Sequence, residues 1–259
     1  MIKKNLKSRY FLSISFNGHN YNGWQIQKNA LTVQEILNAS VSRIFKHEIN
    51  VVGCGRTDAG VHAKNFYAHF NLENELNPEK ILNYIKKLNG SLPWDIKVHD
   101  LIPVKPDAHA RFDAIERTYR YFISYEKDPF FNDFAYFHYQ NLDIETMNQA
   151  AKILKEYSDF TSFSKLHTQT KTNICDIKEA KWEIEGQLFI FTITADRFLR
   201  NMVRAIVGTM INIGKGKTTM EEFRKIMEAK NRSKAGYSVP AKGLFLTEIK
   251  YPAGIFLNK

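Results

Sequence analysis

The sequence predicts an α+β fold, on two observations. Segments with the alternating apolar pattern of strands are interspersed with segments of helical periodicity, and the same order of segments, β-α-β-β-α-β, occurs twice along the chain. This order is typical of a ferredoxin-like unit. We therefore expect two tandem ferredoxin-like halves, over residues 1–105 and 106–259, with largely antiparallel sheets that adjoin into one extended sheet and helices on one side.

The first half is predicted from strand and helix signals in turn. Thr32 and Glu35 form a capping box at the start of its first helix. Asn77 is the expected cap of the second helix, and Gly90 is expected just past its end. The predicted strand, helix, two strands, helix and strand cover residues 9–16, 32–47, 48–53, 64–71, 78–88 and 95–102.

The second half has the same order with one additional helix. Its first strand places Tyr119, Tyr121, Ile123 and Tyr125 on one face. Gly214 ends the first of two consecutive helices, and Thr218 or Thr219 caps the second. The predicted strand, helix, two strands, two helices and strand cover residues 115–125, 143–157, 174–185, 188–195, 198–213, 219–229 and 244–250.

The composition points to a globular protein with a polyanionic partner. Of 259 residues, 44% are apolar and 25% are charged, and 37 basic against 27 acidic side chains give a net charge of +10. A balance this basic favours binding to nucleic acid or to a membrane surface. The longest apolar stretch, residues 202–213, is too short and too polar to span a bilayer. Only two cysteines are present, which excludes a disulfide scaffold and indicates a reducing, cytoplasmic setting.

The segment richest in chemistry is the glycine-rich loop over residues 53–63 (GCGRTDAGVHA). Its three glycines allow tight turns or a close approach to a ligand. Arg56 lies two residues from Asp58, and a guanidinium nearby favours the ionised form of a carboxylate. Asp58 is therefore a candidate nucleophile, and a structural loop in which Asp58 caps a turn is the alternative.

Two further segments combine basic and aromatic residues. The stretch 109–121 (HARFDAIERTYRY) alternates arginines with tyrosines, a pattern suited to phosphate contacts and base stacking. Arg197, Arg200 and Arg204 are spaced to form a basic ridge on the predicted helix 198–213. For both segments a solvated charged face is the alternative to RNA binding.

Other common sites are excluded by spacing. The eight histidines include no pair at i, i+4 on a helix with a carboxylate, so no metal site is expected. The glycine loop lacks the dinucleotide fingerprint, and the stretch 208–215 has the wrong spacing for a phosphate-binding Walker loop. Cys54 is expected to be a small packing residue rather than a thiol nucleophile.

Ordered motifs over nearly the whole chain resemble the TruA-type tRNA pseudouridine synthases. The signature is residues 55–63 (GRTDAGVHA), preceded by 21–25 (YNGWQ) and 32–34 (TVQ). The remaining matches are Leu88-Asn89 with Leu92-Pro93, the strand carrying Arg111, Ala114, Arg117, Tyr119 and Tyr121, and the segments 159–163, 198–204 and 240–246. The sequence departs from the family pattern at Cys54, Ala108 and Asp196-Arg197. These departures bear on substrate preference and not on the chemistry.

The resemblance implies conversion of uridine to pseudouridine at positions 38, 39 and 40 in the anticodon arm of tRNA. It implies a homodimer, with no metal, no cofactor and no membrane partner. It assigns Asp58 as the catalytic aspartate, Tyr119 as the residue that packs on the target base, and Arg56 and Arg204 as pocket residues.

The resemblance also implies an apolar pocket wall from Leu244 or Leu246. Arg111, Arg117 and Arg200 are the arginines expected to contact RNA. The alternative to an isomerase is a non-catalytic RNA-binding protein on the same scaffold. The Arg56-Thr57-Asp58 segment favours the isomerase, because a protein that only binds RNA has no use for such an acid.

Overall fold

The computed structural model describes residues 8–165 and 172–257. The helices of these residues are α1 (Val33–Phe45), α2 (Ile81–Ser91), α3 (Ile144–Ile153), α4 (Met202–Gly214) and α5 (Met220–Glu228). The strands are β1 (Ser8–Phe16), β2 (Val52–Gly53), β3 (His62–Leu72), β4 (Ile96–Val104), β5 (Glu116–Ser124), β6 (Tyr136–Phe137), β7 (Ile177–Glu185), β8 (Leu188–Ala195) and β9 (Leu244–Lys250). The predicted α+β class with largely antiparallel pairing is confirmed.

The chain forms two compact units, Met1–Ile115 with Leu246–Lys259, and Glu116–Phe245. The boundaries between the two compact units fall after Ile115 and before Leu246, whereas the predicted halves meet after residue 105. The two halves as domains stay a prediction.

In the first unit, β1 pairs antiparallel with both β3 and β4. Phe11, Leu12 and Ile14 of β1 are fully buried, and because Phe11 and Leu12 point to opposite faces, both faces of this strand are covered. Helix α1 contributes Val33, Leu37 and Val41 to the buried residues at helical spacing. As predicted, the Thr32 side chain accepts a hydrogen bond from the Glu35 backbone N–H.

In the second unit, β8 is the middle strand, antiparallel to both β5 and β7. Every described residue of β8 after Leu188 is buried, and eleven residues of α4 are buried. A capping box at Thr219 and Glu222 begins α5. Of the two predicted caps, Thr219 is therefore the correct one.

Three local predictions were wrong, and one short strand was not predicted. The strand expected over 48–53 is reduced to Val52–Gly53. Helix α2 starts later than expected, at Ile81 after a 3-10 turn at Pro78–Lys80, and it ends at Ser91. Gly90 therefore lies inside the helix and not past its end. The short strand β6 was missed. Helix α4 begins only at Met202, so Arg197 and Arg200 lie before the helix and form no ridge with Arg204.

Candidate active site

The glycine-rich loop connects β2 to β3 in the first unit. Gly53 pairs with Ala68 across this hairpin, and the Cys54 N–H donates to the Tyr67 carbonyl at 2.8 Å. Cys54 itself is buried, and its Sγ accepts from the Tyr67 N–H at 3.4 Å. The sheet therefore fixes the chain up to Cys54, which agrees with the prediction of a packing role for this residue.

Asp58 begins a tight turn. Its carbonyl accepts a hydrogen bond from the Val61 N–H at 3.2 Å, and Gly60 at the third position has φ of 78°. A positive φ at this position is the pattern of a type II turn, which requires glycine there. Asp58 is half-buried. Its backbone is thus fixed by local geometry.

A second segment, residues 21–24, contacts the loop from the other side. The Trp24 N–H donates to the Thr57 carbonyl at 3.3 Å, and the Gly60 N–H donates to the Tyr21 carbonyl at 3.2 Å. Gly23 has φ of 85°, and a Cβ there would lie 2.3 Å from the Thr57 carbonyl oxygen. Only glycine allows this approach.

The 21–24 segment is anchored in turn to the core. The Tyr21 hydroxyl donates to the Asp95 carboxylate at 2.6 Å. The Trp24 ring stacks on Phe66 at 4.2 Å between centroids, with 30° between planes. The segment is fixed to Phe66 of β3 and to Asp95 just before β4. It therefore holds the residues on either side of Asp58 in place against the sheet.

The other end of the loop is fixed by a buried histidine. His62 is 1% exposed, and its Nδ1 accepts from the Gly18 N–H at 3.0 Å. A Cβ at Gly18 would lie 2.0 Å from the Val61 carbonyl oxygen. The chain on either side of the Asp58 turn is therefore bonded to the first unit, through backbone groups at Thr57 and Gly60 and through the buried ring of His62, and such fixed contacts hold a carboxylate in position.

A cleft of about 220 Å³ lies beside this loop in the first unit. Arg56, which is exposed, and Arg111 both line it. The cleft is further lined by Trp24, Gln25, Gln34, Val52, Gly53, Gly55, His109 and Phe112. Arg56 is thus placed at a cavity two residues from Asp58.

Tyr119 lies on β5 in the second unit, opposite Ile193 of β8. Its ring meets the Phe198 ring edge-on, with 5.1 Å between centroids. Tyr121, on the same face, is fully buried, and its hydroxyl donates to the Pro240 carbonyl at 2.8 Å. Burial raises the pKa of Tyr121 well above its ordinary value, and the positive charge of Arg204 lowers it by a smaller amount.

The arginines of the second unit make backbone contacts within it. Arg204 Nε donates to the Val239 carbonyl at 2.7 Å, and the Val239 N–H donates back to the Arg204 carbonyl at 3.2 Å. Arg117 Nη1 donates to the Asp196 carbonyl at 2.7 Å. The Arg200 carbonyl accepts from the Lys165 N–H. Arg204 and Arg117 thus each have part of their guanidinium committed to the fold.

Leu244 and Leu246 are both buried, at 6% and 2% exposure. They share one face of β9, two residues apart. Leu244 belongs to the second unit and Leu246 to the first.

Several residues around the Asp58 loop had no individual role in the prediction from sequence. Gly23 and Trp24 position the loop, and His109 and Phe112 line the cleft. Thr57 Oγ1 is buried with no hydrogen-bond partner among the described residues. The available signals were that Gly23 and Trp24 fall in a recognised motif and that His109 and Phe112 fall in the basic and aromatic stretch 109–121. No local pattern reports a contact between segments more than thirty residues apart.

The described residues form neither a metal-ligand cluster nor a membrane-spanning helix. Within 8–165 and 172–257, no three His, Cys, Asp or Glu side chains cluster as ligands of a metal ion. No helix in this part of the chain combines the length and apolar character needed to cross a bilayer.

The chain matches a family model described as tRNA pseudouridine synthase, over residues 12–113 and 150–252. The tRNA pseudouridine synthase A of Azobacteroides pseudotrichonymphae is 52% identical over 251 residues, which cover 97% of this chain and 100% of that protein. The protein of the same name from Parabacteroides distasonis is 50% identical over 96% of this chain and 98% of its own length. That from Clostridium acetobutylicum is 39% identical over 96% of this chain and 100% of its own length.

Proposed function

Because the chain belongs to the tRNA pseudouridine synthase family, we propose that it converts uridine to pseudouridine at positions 38, 39 and 40 of the anticodon stem-loop of tRNA, with Asp58 as the nucleophile. The enzyme is an isomerase. The proposal extends to a homodimer that acts in the cytoplasm, where its tRNA substrate is found, and that uses no cofactor.

One observation carries the assignment of Asp58. Its turn is fixed by hydrogen bonds at Thr57 and Gly60 to the 21–24 segment and by the Asp58–Val61 bond within the loop. A half-buried carboxylate on a backbone this constrained is suited to attack a substrate atom at a defined position. A loop that merely connected two strands would not need contacts that only glycine at positions 18 and 23 permits.

The reaction balances within one nucleotide. The bond from C1′ of the ribose to N1 of uracil breaks, and a bond from C1′ to C5 forms. C5 loses a proton and N1 gains one. No electrons are exchanged with any other molecule.

A carboxylate assists this exchange in two ways. Asp58 adds to C6 of uracil, or it captures C1′ of the ribose while the base turns. In both, the detached base must stay in a pocket that excludes water. We assign Tyr119 to pack on the target base, Arg56 and Arg204 to line the pocket, and Leu244 or Leu246 to form its apolar wall.

Binding must also offset the cost of removing the base from its stack, which is a few kcal/mol. Contacts between basic side chains and RNA phosphates supply this binding free energy in a protein with a net charge of +10. We assign Arg111, Arg117 and Arg200 to these phosphate contacts. Arg117 Nη1 donates to the Asp196 carbonyl, so this nitrogen is held by the fold while the side chain contacts RNA. We expect tRNA affinity to fall steeply as salt rises.

The test is release of tritium from tRNA labelled at C5 of uridine, because forming the C–C bond expels that hydrogen. Wild type is compared with Asp58→Ala, with Asp58→Asn as a variant of equal size, and with Asp107→Ala as a control at an exposed carboxylate of the same unit. We expect both Asp58 variants to lose at least about a thousandfold in rate while still binding tRNA, and Asp107→Ala to match wild type.

Three outcomes separate the candidates. Release by wild type and not by the Asp58 variants supports the isomerase and its nucleophile. Release that survives in Asp58→Ala would refute the nucleophile. Binding of tRNA without release by any protein would favour a non-catalytic RNA-binding protein.

A further inference from the structure

We propose that the cleft beside the Asp58 loop binds a second nucleotide of the RNA, distinct from the one that is isomerised, with its base on the Phe112 ring and its phosphate between Arg56 and Arg111. This inference rests on the proposed function and adds a binding site to it. All three residues line one cleft within the first unit.

Phe112 presents an aromatic face to solvent. Its side chain is 73% exposed, although phenylalanine usually lies in the core. Its ring packs on His109, with 4.2 Å between centroids and 35° between planes. The Arg111 guanidinium carbon lies 5.6 Å from the centroid of the Phe112 ring. An aromatic ring with a cation beside it is the arrangement on which nucleobases stack in single-stranded RNA sites.

The turn that carries this ring is rigid. The His109 N–H donates to the Asp113 carboxylate at 2.7 Å, and the Asp113 N–H donates to the His109 carbonyl at 3.1 Å. His109 Nδ1 accepts from the N–H groups of Arg111 and Phe112, at 3.1 and 3.3 Å. Because Nδ1 is an acceptor, the neutral ring carries its proton on Nε2. Phe112 is therefore exposed on an ordered backbone, so little entropy is lost when a base stacks on it.

The turn is also fixed to the first unit. The Ala110 N–H donates to Nδ1 of the buried His69 at 3.2 Å, and the Tyr251 hydroxyl donates to the Ala110 carbonyl at 2.6 Å. The rings of His69 and His109 meet edge-on at 4.6 Å. Burial lowers the pKa of His109, so that the acceptor at Nδ1 persists at neutral pH.

The lining of the cleft favours a ligand that is both flat and negatively charged. Among the described residues that line it are two arginines and an aromatic face, with no acidic side chain. Its volume of about 220 Å³ is below the roughly 300–1,000 Å³ of drug-sized sites, so it takes one ring system and not a base pair. Gly53, Gly55 and Arg56 belong to both the cleft and the loop that carries Asp58, so the cleft adjoins the position proposed for the target nucleotide. A second nucleotide of the same RNA is therefore the occupant that the chemistry fits.

The first experiment measures the Kd of tRNA and the KM and kcat of tritium release for Phe112→Ala. Stacking on an aromatic side chain predicts a rise in Kd and KM of about fivefold to a hundredfold, with kcat at saturating tRNA within about twofold of wild type. Phe112→Trp, which keeps a stacking face, is expected to bind as wild type does. Phe130→Ala is the control, since Phe130 is 87% exposed in the second unit and belongs to no part of the cleft.

The second experiment identifies the nucleotide with 2-aminopurine, placed singly at each position beside the target uridines. Stacking on Phe112 should quench its fluorescence at one position in wild type and not in Phe112→Ala. Arg111→Ala should lower the slope of log Kd against log salt by about one, whereas Phe112→Ala should leave that slope unchanged.

The outcomes distinguish this site from the proposed function. Normal tritium release by wild type with unchanged Kd and KM in Phe112→Ala would overturn the second site and leave the isomerase standing. A change in oligomeric state without a change in tRNA affinity would overturn it in favour of a protein interface. Weaker tRNA binding by Phe112→Ala would support the site even if no tRNA released tritium.

Discussion

Replacing Gly23 by alanine tests the idea that the 21–24 segment positions Asp58. The added Cβ would lie 2.3 Å from the Thr57 carbonyl oxygen, whereas real Cβ atoms stay at 3.0 Å or more. The two groups must separate by at least 3.0 − 2.3 = 0.7 Å. Thr57 immediately precedes Asp58, so the loop has to move with its carboxylate or the 21–24 segment has to leave the loop.

Two costs add up for Gly23→Ala. A side chain at a φ of 85° costs about 1–2 kcal/mol, and overpacking at a tight contact costs about 1–3 kcal/mol. The expected loss is about 2–5 kcal/mol of the free energy of unfolding, which lowers Tm by roughly 4–20 °C in a chain of this size. A displacement approaching 1 Å at the nucleophile should also lower kcat by about a hundredfold.

The assay combines thermal unfolding with tritium release at a temperature where the variant is folded. Gly90→Ala is the control, because Gly90 is exposed in α2 with no atom within 4 Å of an added Cβ. It should be neutral, or more stable by up to about 1 kcal/mol, with normal kcat. A Gly23→Ala protein with the Tm of wild type and kcat within about threefold of it would refute the reasoning.

Two further predictions concern the same unit. Thr57→Val removes a buried hydroxyl that has no hydrogen-bond partner among the described residues. It should raise the free energy of unfolding, measured by urea titration, by about 1 kcal/mol. A loss of stability would instead show that Oγ1 has a hydrogen-bonded partner such as water. Burial, with the charges of His109 and Arg9, lowers the pKa of His69 from 6.5 to about 4. As the pH falls, the unfolded chain therefore binds a proton at His69 at a higher pH than the folded protein does. The contribution of His69 to the free energy of unfolding is thus complete above pH 6.5 and falls by about 3 kcal/mol between pH 6.5 and 4. His69→Gln should reduce the loss of stability between pH 7 and 4.5, and an unchanged pH dependence would contradict the assignment.

The sequence predicted well those features that depend on neighbours along the chain. The cap at Thr32 and the one at Thr219 need only a hydroxyl and the backbone three residues later. The aromatic and β-branched residues of β5 and β8 predict strands because this composition is a property of one continuous segment. The α+β class followed from these local signals, and Asp58 stood out because its glycine-rich surroundings are also local.

Contacts between distant segments account for what the sequence did not predict. Helix α4 begins at Met202 because the chain before it folds otherwise, with the Arg200 carbonyl accepting from the Lys165 N–H; Arg197 and Arg200 were therefore wrongly placed on the helix. The predicted strand at 48–53 is reduced to two residues because pairing with β3 is limited to Val52 and Gly53.

The composition and motifs of this chain determined its fold class, its basic character and the loop that carries Asp58. Tertiary structure alone decided that Gly23 lies against Thr57, that Gly18 contacts His62, and that Ala110 in the turn carrying Phe112 is bonded to His69. The physical reason is that these interactions join residues thirty or more positions apart. Their energies exist only once the sheet has brought the segments together, so no local pattern in the sequence contains them.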